Sequence, residues 1–111
     1  MTTGTICIDF DGVLAEYHGW NGTESPPGEP LMGAKNACWN LHTLGYDLVV
    51  LTSRVEHAAV ERWLEYHGFP PMWVTSAKVP ALLYIDDRGY RFTNRSAVTL
   101  EVLQQRPWWQ K

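Results

Sequence analysis

Short apolar runs alternate with amphipathic and polar segments along the chain. Four of these runs are rich in β-branched residues and are short enough to be buried strands. They cover residues 5–10, 46–52, 72–75 and 82–86. The pattern therefore predicts a sheet whose strands are covered by other parts of the chain.

Three further segments place apolar residues three and four positions apart, which is the period of a helix that buries one face. They cover residues 33–44, 53–67 and 96–105. Ser53 is expected to cap the second helix, with Glu56 completing a capping box. The element order β-α-β-α-β-β-α predicts an α/β fold, a three-layer Rossmann-like parallel sheet with helices on both faces.

A long polar segment rich in Gly and Pro separates the first strand from the first helix. It covers residues 12–30, GVLAEYHGWNGTESPPGEP. A loop of this length in a small protein is usually functional, so we interpret it as a flap and as the minimal cap of the fold. The chain length suits one core, and we expect residues 1–111 to form a single domain.

Composition narrows the classes of partner. The chain has 9 basic and 12 acidic residues, a formal charge of −3, which does not favour a nucleic-acid or membrane surface. No secretory leader and no apolar run near the ~20 residues of a membrane span are visible. With Cys7 and Cys38 interpreted as buried reduced thiols, we expect a cytoplasmic protein. The oligomeric state is left open.

Carboxylates follow two of the predicted strands directly. Asp9 and Asp11 end the first strand, and Asp86 and Asp87 end the fourth. Parallel α/β sheets bind ligands at the carboxyl ends of their strands, so the four acids converge if these strands are neighbours. Four close carboxylates cannot all stay ionised without a cation. The pattern therefore predicts a Mg²⁺ site at which all four are candidate ligands.

Two other positions suit an anion beside these acids. Thr52 ends the second strand, and the predicted helix start after Ser53 offers backbone N–H groups. A plain helix cap explains Ser53 equally well. Lys78, eight residues before Asp86, is a candidate to neutralise phosphate charge.

Taken in order, these motifs resemble those of the haloacid dehalogenase-like superfamily. The matching features are DFDGVL at 9–14, the strand-ending Thr52, Lys78, and IDD at 85–87. The resemblance spans residues 5–92 and implies a capless phosphatase, a phosphomonoester hydrolase that requires Mg²⁺.

The resemblance also implies a role for each matching residue. Asp9 would attack phosphorus and form an aspartyl-phosphate, while Asp11 would protonate the leaving group and later activate water. Thr52 and Lys78 would hold the phosphoryl oxygens. Mg²⁺ would take its ligands from Asp9, the Asp11 carbonyl and Asp86, with Asp87 close by.

An open site without a cap domain suits a small phosphorylated substrate, a metabolite or a nucleotide. Four residues are expected to contact it: Ser53, Arg54, Arg88 and, by stacking from the flap, Trp20. Arg54, Arg88, Arg91 and Arg95 form either a basic rim or ordinary surface ion pairs with Glu residues.

Alternative functions remain open at this stage. The TSR and IDDR segments resemble the phosphatase half of polynucleotide kinase-phosphatases, which leaves a nucleic-acid end phosphatase possible. A catalytically idle binding module of the same fold and a phosphate receiver phosphorylated on aspartate are the others. Reactive residue types at every motif position, Asp11 among them, favour turnover.

Overall fold

The computed structural model describes residues 4–17, 26–87 and 104. Four strands and two helices occupy the first two ranges. They are β1 (Gly4–Asp9), α1 (Ala34–Thr43), β2 (Tyr46–Leu51), α2 (His57–Tyr66), β3 (Trp73–Thr75) and β4 (Leu83–Ile85). Apart from Gln104, the helix predicted over 96–105 lies outside the described residues.

All described strands are parallel, in the order β3-β2-β1-β4. β1 pairs with β2 from Gly4 opposite Tyr46 to Asp9 opposite Leu51. On its other side β1 pairs with β4, where Ile8 lies opposite Ile85. The α/β parallel-sheet prediction is confirmed, and the carboxyl ends of β1 and β4 are direct neighbours.

The described helices pack on the same face of this sheet. Their buried residues form one cluster with alternate strand residues: Ile6, Ile8, Leu48, Val50, Val74, Cys38, Val60 and Leu64. The chain moves from β1 to β2 to β3 in one direction, and right-handed crossovers then place both helices on one side. The described helices cover one face only, so helices on the opposite face stay a prediction. Neither α1 nor α2 is long and apolar enough to cross a membrane.

The start of α2 differs from the prediction. The helix begins at His57, Glu56 is its N-cap residue, and no side chain caps it, so the capping box of Ser53 and Glu56 is wrong. Instead the Thr52 hydroxyl accepts a hydrogen bond from the Arg54 backbone N–H at 3.1 Å, which makes a turn directly after β2. Ser53 therefore lies in this turn, four residues before the helix.

The described ends of the predicted flap lie side by side. Glu16 N–H donates to the Glu29 carbonyl at 2.8 Å, and Leu31 N–H donates to the Leu14 carbonyl at 2.9 Å. The indole N–H of Trp63, on α2, donates to the Gly28 carbonyl at 3.0 Å. The flap thus leaves and returns through two paired arms, one of which is fastened to α2.

Both cysteines are buried free thiols, as predicted. Cys7 is 1% exposed and Cys38 is 2% exposed. Burial raises the pKa of the Cys38 thiol to about 11. It also raises the pKa of the Cys7 thiol, with the Asp9 charge adding to the shift and Lys78 opposing it. Both side chains are therefore inert packing groups.

Candidate functional site at the carboxyl edge of the sheet

The strand ends bring the candidate residues to one edge. Asp9 is the last residue of β1, Thr52 follows β2, and Asp86 follows β4. The Thr52 N–H donates to the Thr75 carbonyl at 3.0 Å, so the β2–β3 pairing continues up to the site. The convergence expected from the sequence depends on β4 lying beside β1, which the pairing shows.

A cavity of about 200 Å³ opens at this edge. Its lining consists of Asp9, Asp11, Tyr17, Thr52, Ser53, Asp86 and Asp87. All of these except Tyr17 were predicted as catalytic, substrate or metal residues from the sequence, and Tyr17 was expected only as part of the flap that covers the site. Tyr17 belongs to the outgoing arm of the flap, so the flap contributes to the wall of the cavity.

Three carboxylates in this cavity form a tight cluster. One oxygen from each of Asp9, Asp86 and Asp87 lies within 4.8 Å of the others. Burial raises the pKa of Asp9 to about 6, and the negative charge of Asp86 is the second largest cause of this shift. The Phe10 N–H donates a hydrogen bond to Asp9 Oδ1 at 3.0 Å, which lowers the pKa and opposes part of the shift. An all-oxygen, anionic donor set is what a hard divalent cation requires, so these residues fit Mg²⁺.

Gly12 makes room for one of these carboxylates. Its φ is +89°, a conformation that side chains disfavour. A Cβ at this position would lie 2.5 Å from Asp87 Oδ2. Glycine is therefore needed both for the turn after β1 and for the close approach of Asp87 to the backbone.

Asp11 makes a bidentate ion pair with Arg54. Arg54 Nε lies 2.8 Å from Asp11 Oδ2, and a terminal guanidinium nitrogen lies 2.9 Å from Oδ1. Arg54 is only 6% exposed, and its guanidinium carbon lies 5.7 Å from the centre of the Phe10 ring. The side chain of Arg54 therefore points inward to Asp11, an arrangement that differs from both sequence alternatives, the basic rim and the surface ion pairs with Glu residues.

Lys78 is not among the described residues that line the cavity. Its ammonium nitrogen lies 4.7 Å from the centre of the Tyr84 ring, a cation–π contact. The Tyr84 hydroxyl in turn donates to the Val79 carbonyl. Tyr84 precedes Asp86 by two residues, and side chains two apart along a strand point to the same face of the sheet. The Tyr84 ring that contacts Lys78 and the Asp86 carboxylate therefore lie on the same face.

The remaining predicted contacts lie outside the described residues. These are Trp20 in the flap and Arg88, together with Arg91 and Arg95. Their proposed contacts with substrate stay predictions.

The Asp11–Arg54 pair could not be found by reading the sequence. Its partners are 43 positions apart, and Arg54 follows a Thr-Ser pair that resembles a helix cap. Tyr17 had a weak signal, its position in the flap five residues beyond Gly12.

Comparison with known proteins supports the fold. The sequence matches no protein-family model and no curated protein. A solved structure described as a conserved protein coded by a locus from Bacteroides thetaiotaomicron is similar, with a TM-score of 0.62 and 23% sequence identity. The match covers 91% of this chain and 89% of that chain. At this identity the likeness shows the α/β fold alone, and that description names no activity.

Proposed function

We propose that this protein is a Mg²⁺-dependent phosphomonoester hydrolase that works through an aspartyl-phosphate on Asp9. The observation that carries the proposal is the cavity lined by Asp9, Asp11, Thr52 and the Asp86–Asp87 pair. A nucleophile, a second carboxylate, a hydroxyl donor and a cation site are the groups that phosphoryl transfer by this route requires. The substrate class is a small phosphorylated metabolite or nucleotide in the cytoplasm, a setting that suits two free cysteines.

Asp9 is the proposed nucleophile. With a pKa of about 6, its side chain is a carboxylate at neutral pH. The hydrogen bond from the Phe10 N–H to Oδ1 limits rotation of the carboxylate. Attack by Asp9 forms a bond to phosphorus and breaks the bond between phosphorus and the leaving-group oxygen.

Asp11 is the proposed acid and base. The two hydrogen bonds from Arg54 hold its carboxylate at the cavity wall. In the first step a protonated Asp11 gives its proton to the leaving-group oxygen, and the carboxylate that results is the form that accepts both hydrogen bonds from Arg54. In the second step it takes a proton from water, which attacks phosphorus, releases inorganic phosphate and regenerates the Asp9 carboxylate.

Thr52 is a proposed donor to the phosphoryl group. Its oxygen accepts the Arg54 backbone N–H at 3.1 Å, so its own proton is available to donate into the cavity. The exposed Ser53 hydroxyl lines the same wall. Lys78 is a further proposed donor, and in the structure its ammonium lies over the Tyr84 ring, a contact worth about 0.5–1 kcal/mol at an exposed site.

Asp9, Asp86 and Asp87 would hold Mg²⁺, with the main-chain carbonyl of Asp11 as a further ligand. When bound, Mg²⁺ supplies positive charge that offsets the charge on the phosphoryl oxygens.

Hydrolysis of p-nitrophenyl phosphate tests the proposal. We expect turnover with Mg²⁺, none with EDTA, and none in Asp9→Asn, because an amide is a poor nucleophile. The matched control is Asp47→Asn, which changes an exposed aspartate near the amino end of β2 and should keep full activity. Phosphorylated metabolites, mononucleotides and end-phosphorylated oligonucleotides then identify the natural leaving group. Wild-type turnover in Asp9→Asn would contradict the mechanism.

A further inference from the structure

Arg54 makes a bidentate ion pair with one of the four carboxylates of the site, Asp11. It donates to both oxygens of Asp11, at 2.8 and 2.9 Å. The close cluster is formed by the other three acids, Asp9, Asp86 and Asp87. The site therefore contains one carboxylate in a bidentate ion pair and three that share one small volume.

The environment of the pair makes this division strong. The side chain of Arg54 is 7% exposed and that of Asp11 is 17% exposed, so water screens their attraction weakly. The guanidinium also lies over the ring of Phe10, the fully buried residue between Asp9 and Asp11. Two hydrogen bonds and one ring contact fix the direction in which Arg54 points.

We propose that Arg54 is a positioning residue that binds the Asp11 carboxylate and so prevents it from becoming a ligand in the cation site. A divalent cation competes for any carboxylate within reach, and an Asp11 bound to the cation could no longer approach a leaving group. The guanidinium places a positive charge directly beside the Asp11 carboxylate, where it offsets part of the negative charge that Asp11 adds at Asp9, Asp86 and Asp87. This inference rests on the proposed function and adds to it separate roles for the acids: Asp11 transfers protons, and the other three bind the cation.

Affinity for Mn²⁺, used as a spectroscopic substitute for Mg²⁺, measures this effect without any turnover. Removal of the guanidinium by Arg54→Met frees a fourth carboxylate, and we expect Mn²⁺ to bind about tenfold more tightly. Asp11→Asn leaves the Arg54 charge unbalanced, and we expect binding to weaken several-fold. The double variant restores neutrality, so its affinity should return close to that of the wild type.

The experiment is titration of metal-free protein with Mn²⁺, followed by electron paramagnetic resonance. Methionine keeps an unbranched stem against Phe10, and Asn has the shape of Asp, so the Asp11→Asn arm remains informative if Arg54→Met is unstable. Arg62→Met, which changes an exposed arginine on α2, is the control and should leave affinity unchanged. We also expect Arg54→Met to lose turnover while it binds Mn²⁺ more tightly, a combination that general loosening of the fold would not produce.

Two results are decisive in opposite ways. Equal Mn²⁺ affinity in the wild type and in Asp11→Asn would overturn the role of Arg54 while leaving the cation site in place. Absence of Mn²⁺ binding to the wild type would instead contradict the proposed function on which the inference rests.

Discussion

At the scale of single residues, the site brings negatively charged carboxylates close together at the position of the proposed nucleophile. Asp9 lies partly buried beside Asp86 and Asp87, and its pKa is raised to about 6 mainly by burial. Only glycine suits position 12, next to these acids, because any Cβ there would collide with Asp87. Repulsion between carboxylates and close packing against Gly12 therefore occur at the same turn. Such locally destabilising features are typical of functional sites.

The raised pKa of Asp9 predicts how the metal-free protein responds to pH. In the folded chain this pKa is about 6, against an ordinary value of 3.8. Between these values the folded state keeps a proton that the unfolded state has released, so rising pH lowers the free energy of unfolding. Below the ordinary value the penalty is absent, and above about pH 6 it is complete.

Other acids also titrate in this range, so the measurement is a difference. Urea unfolding of the wild type and of Asp9→Asn in EDTA should show that the variant gains stability relative to the wild type from about pH 4 to pH 6. The gain should then level off. A difference that is independent of pH would argue against the raised pKa.

Gly12→Ala should disrupt the proposed cation site through Asp87. The new methyl group would lie 2.5 Å from Asp87 Oδ2, so that carboxylate has to move. We expect loss of most Mg²⁺-dependent turnover, together with a loss of about 1–3 kcal/mol of stability from the positive φ.

Gly33→Ala is the matched control. Gly33 also has a positive φ, +84°, but a methyl group added there would meet nothing within 4 Å. The variant should carry the backbone strain and keep its turnover. Comparable loss of activity in both variants would show that backbone strain alone is responsible.

At the scale of elements, β1 and α2 do more than supply packing surface. β1 ends in Asp9, the proposed nucleophile. After the turn that follows, the outgoing arm of the flap pairs with the returning arm. On α2, Trp63 contacts the Phe10 ring at 5.0 Å between ring centres and donates to the Gly28 carbonyl. One side chain thus connects the strand that carries Asp9 to the arm by which the flap returns.

Trp63→Phe should therefore loosen the flap without emptying the core. It removes the indole N–H while keeping an aromatic ring beside Phe10 and Phe69. We expect a loss of about 1 kcal/mol from the missing hydrogen bond, together with a raised KM for substrates larger than p-nitrophenyl phosphate. Urea unfolding and steady-state kinetics measure the two effects.

Trp39→Phe provides the comparison for this variant. It also removes an indole N–H that donates to a backbone carbonyl, but Trp39 is on α1 and the carbonyl belongs to Gly68, which is outside the flap. KM should stay at its wild-type value in Trp39→Phe. A rise of KM in both variants would mean that the effect does not pass through the flap.

At the scale of the whole molecule, the described sheet joins distant parts of the chain at the proposed cation site. β1 and β4 pair over three residues, and the acids that follow each strand extend that contact beyond the sheet. Repulsion among Asp9, Asp86 and Asp87 opposes this pairing until a cation offsets it. If the proposed site binds Mg²⁺ in the folded state only, the ion stabilises the fold.

Mg²⁺ should raise the thermal midpoint relative to EDTA. At a concentration about 100 times the dissociation constant, a ligand that binds only the folded state adds about 2.7 kcal/mol. For a chain of this size that corresponds to a shift of roughly 10 °C or more. Asp86→Asn should abolish most of the shift, and Asp47→Asn should retain it. Equal midpoints in Mg²⁺ and EDTA for the wild type would count against a metal site.

The sequence by itself determined the strands, the two described helices and the acids at the strand ends. Apolar periodicity and an aspartate directly after a buried run are local properties, so Asp9, Thr52 and Asp86 could be placed at a carboxyl edge before any contact was known. Tertiary structure decided that β4 lies beside β1, that α1 and α2 share one face, and that Arg54 turns inward to Asp11. These depend on partners tens of residues apart, such as the 43 positions between Asp11 and Arg54, and no local pattern encodes such a pairing. The same limit explains why the capping box predicted for Ser53 and Glu56 was wrong. The local sequence fits a helix cap, but a turn held by Thr52 and the buried ion pair of Arg54 forms there instead.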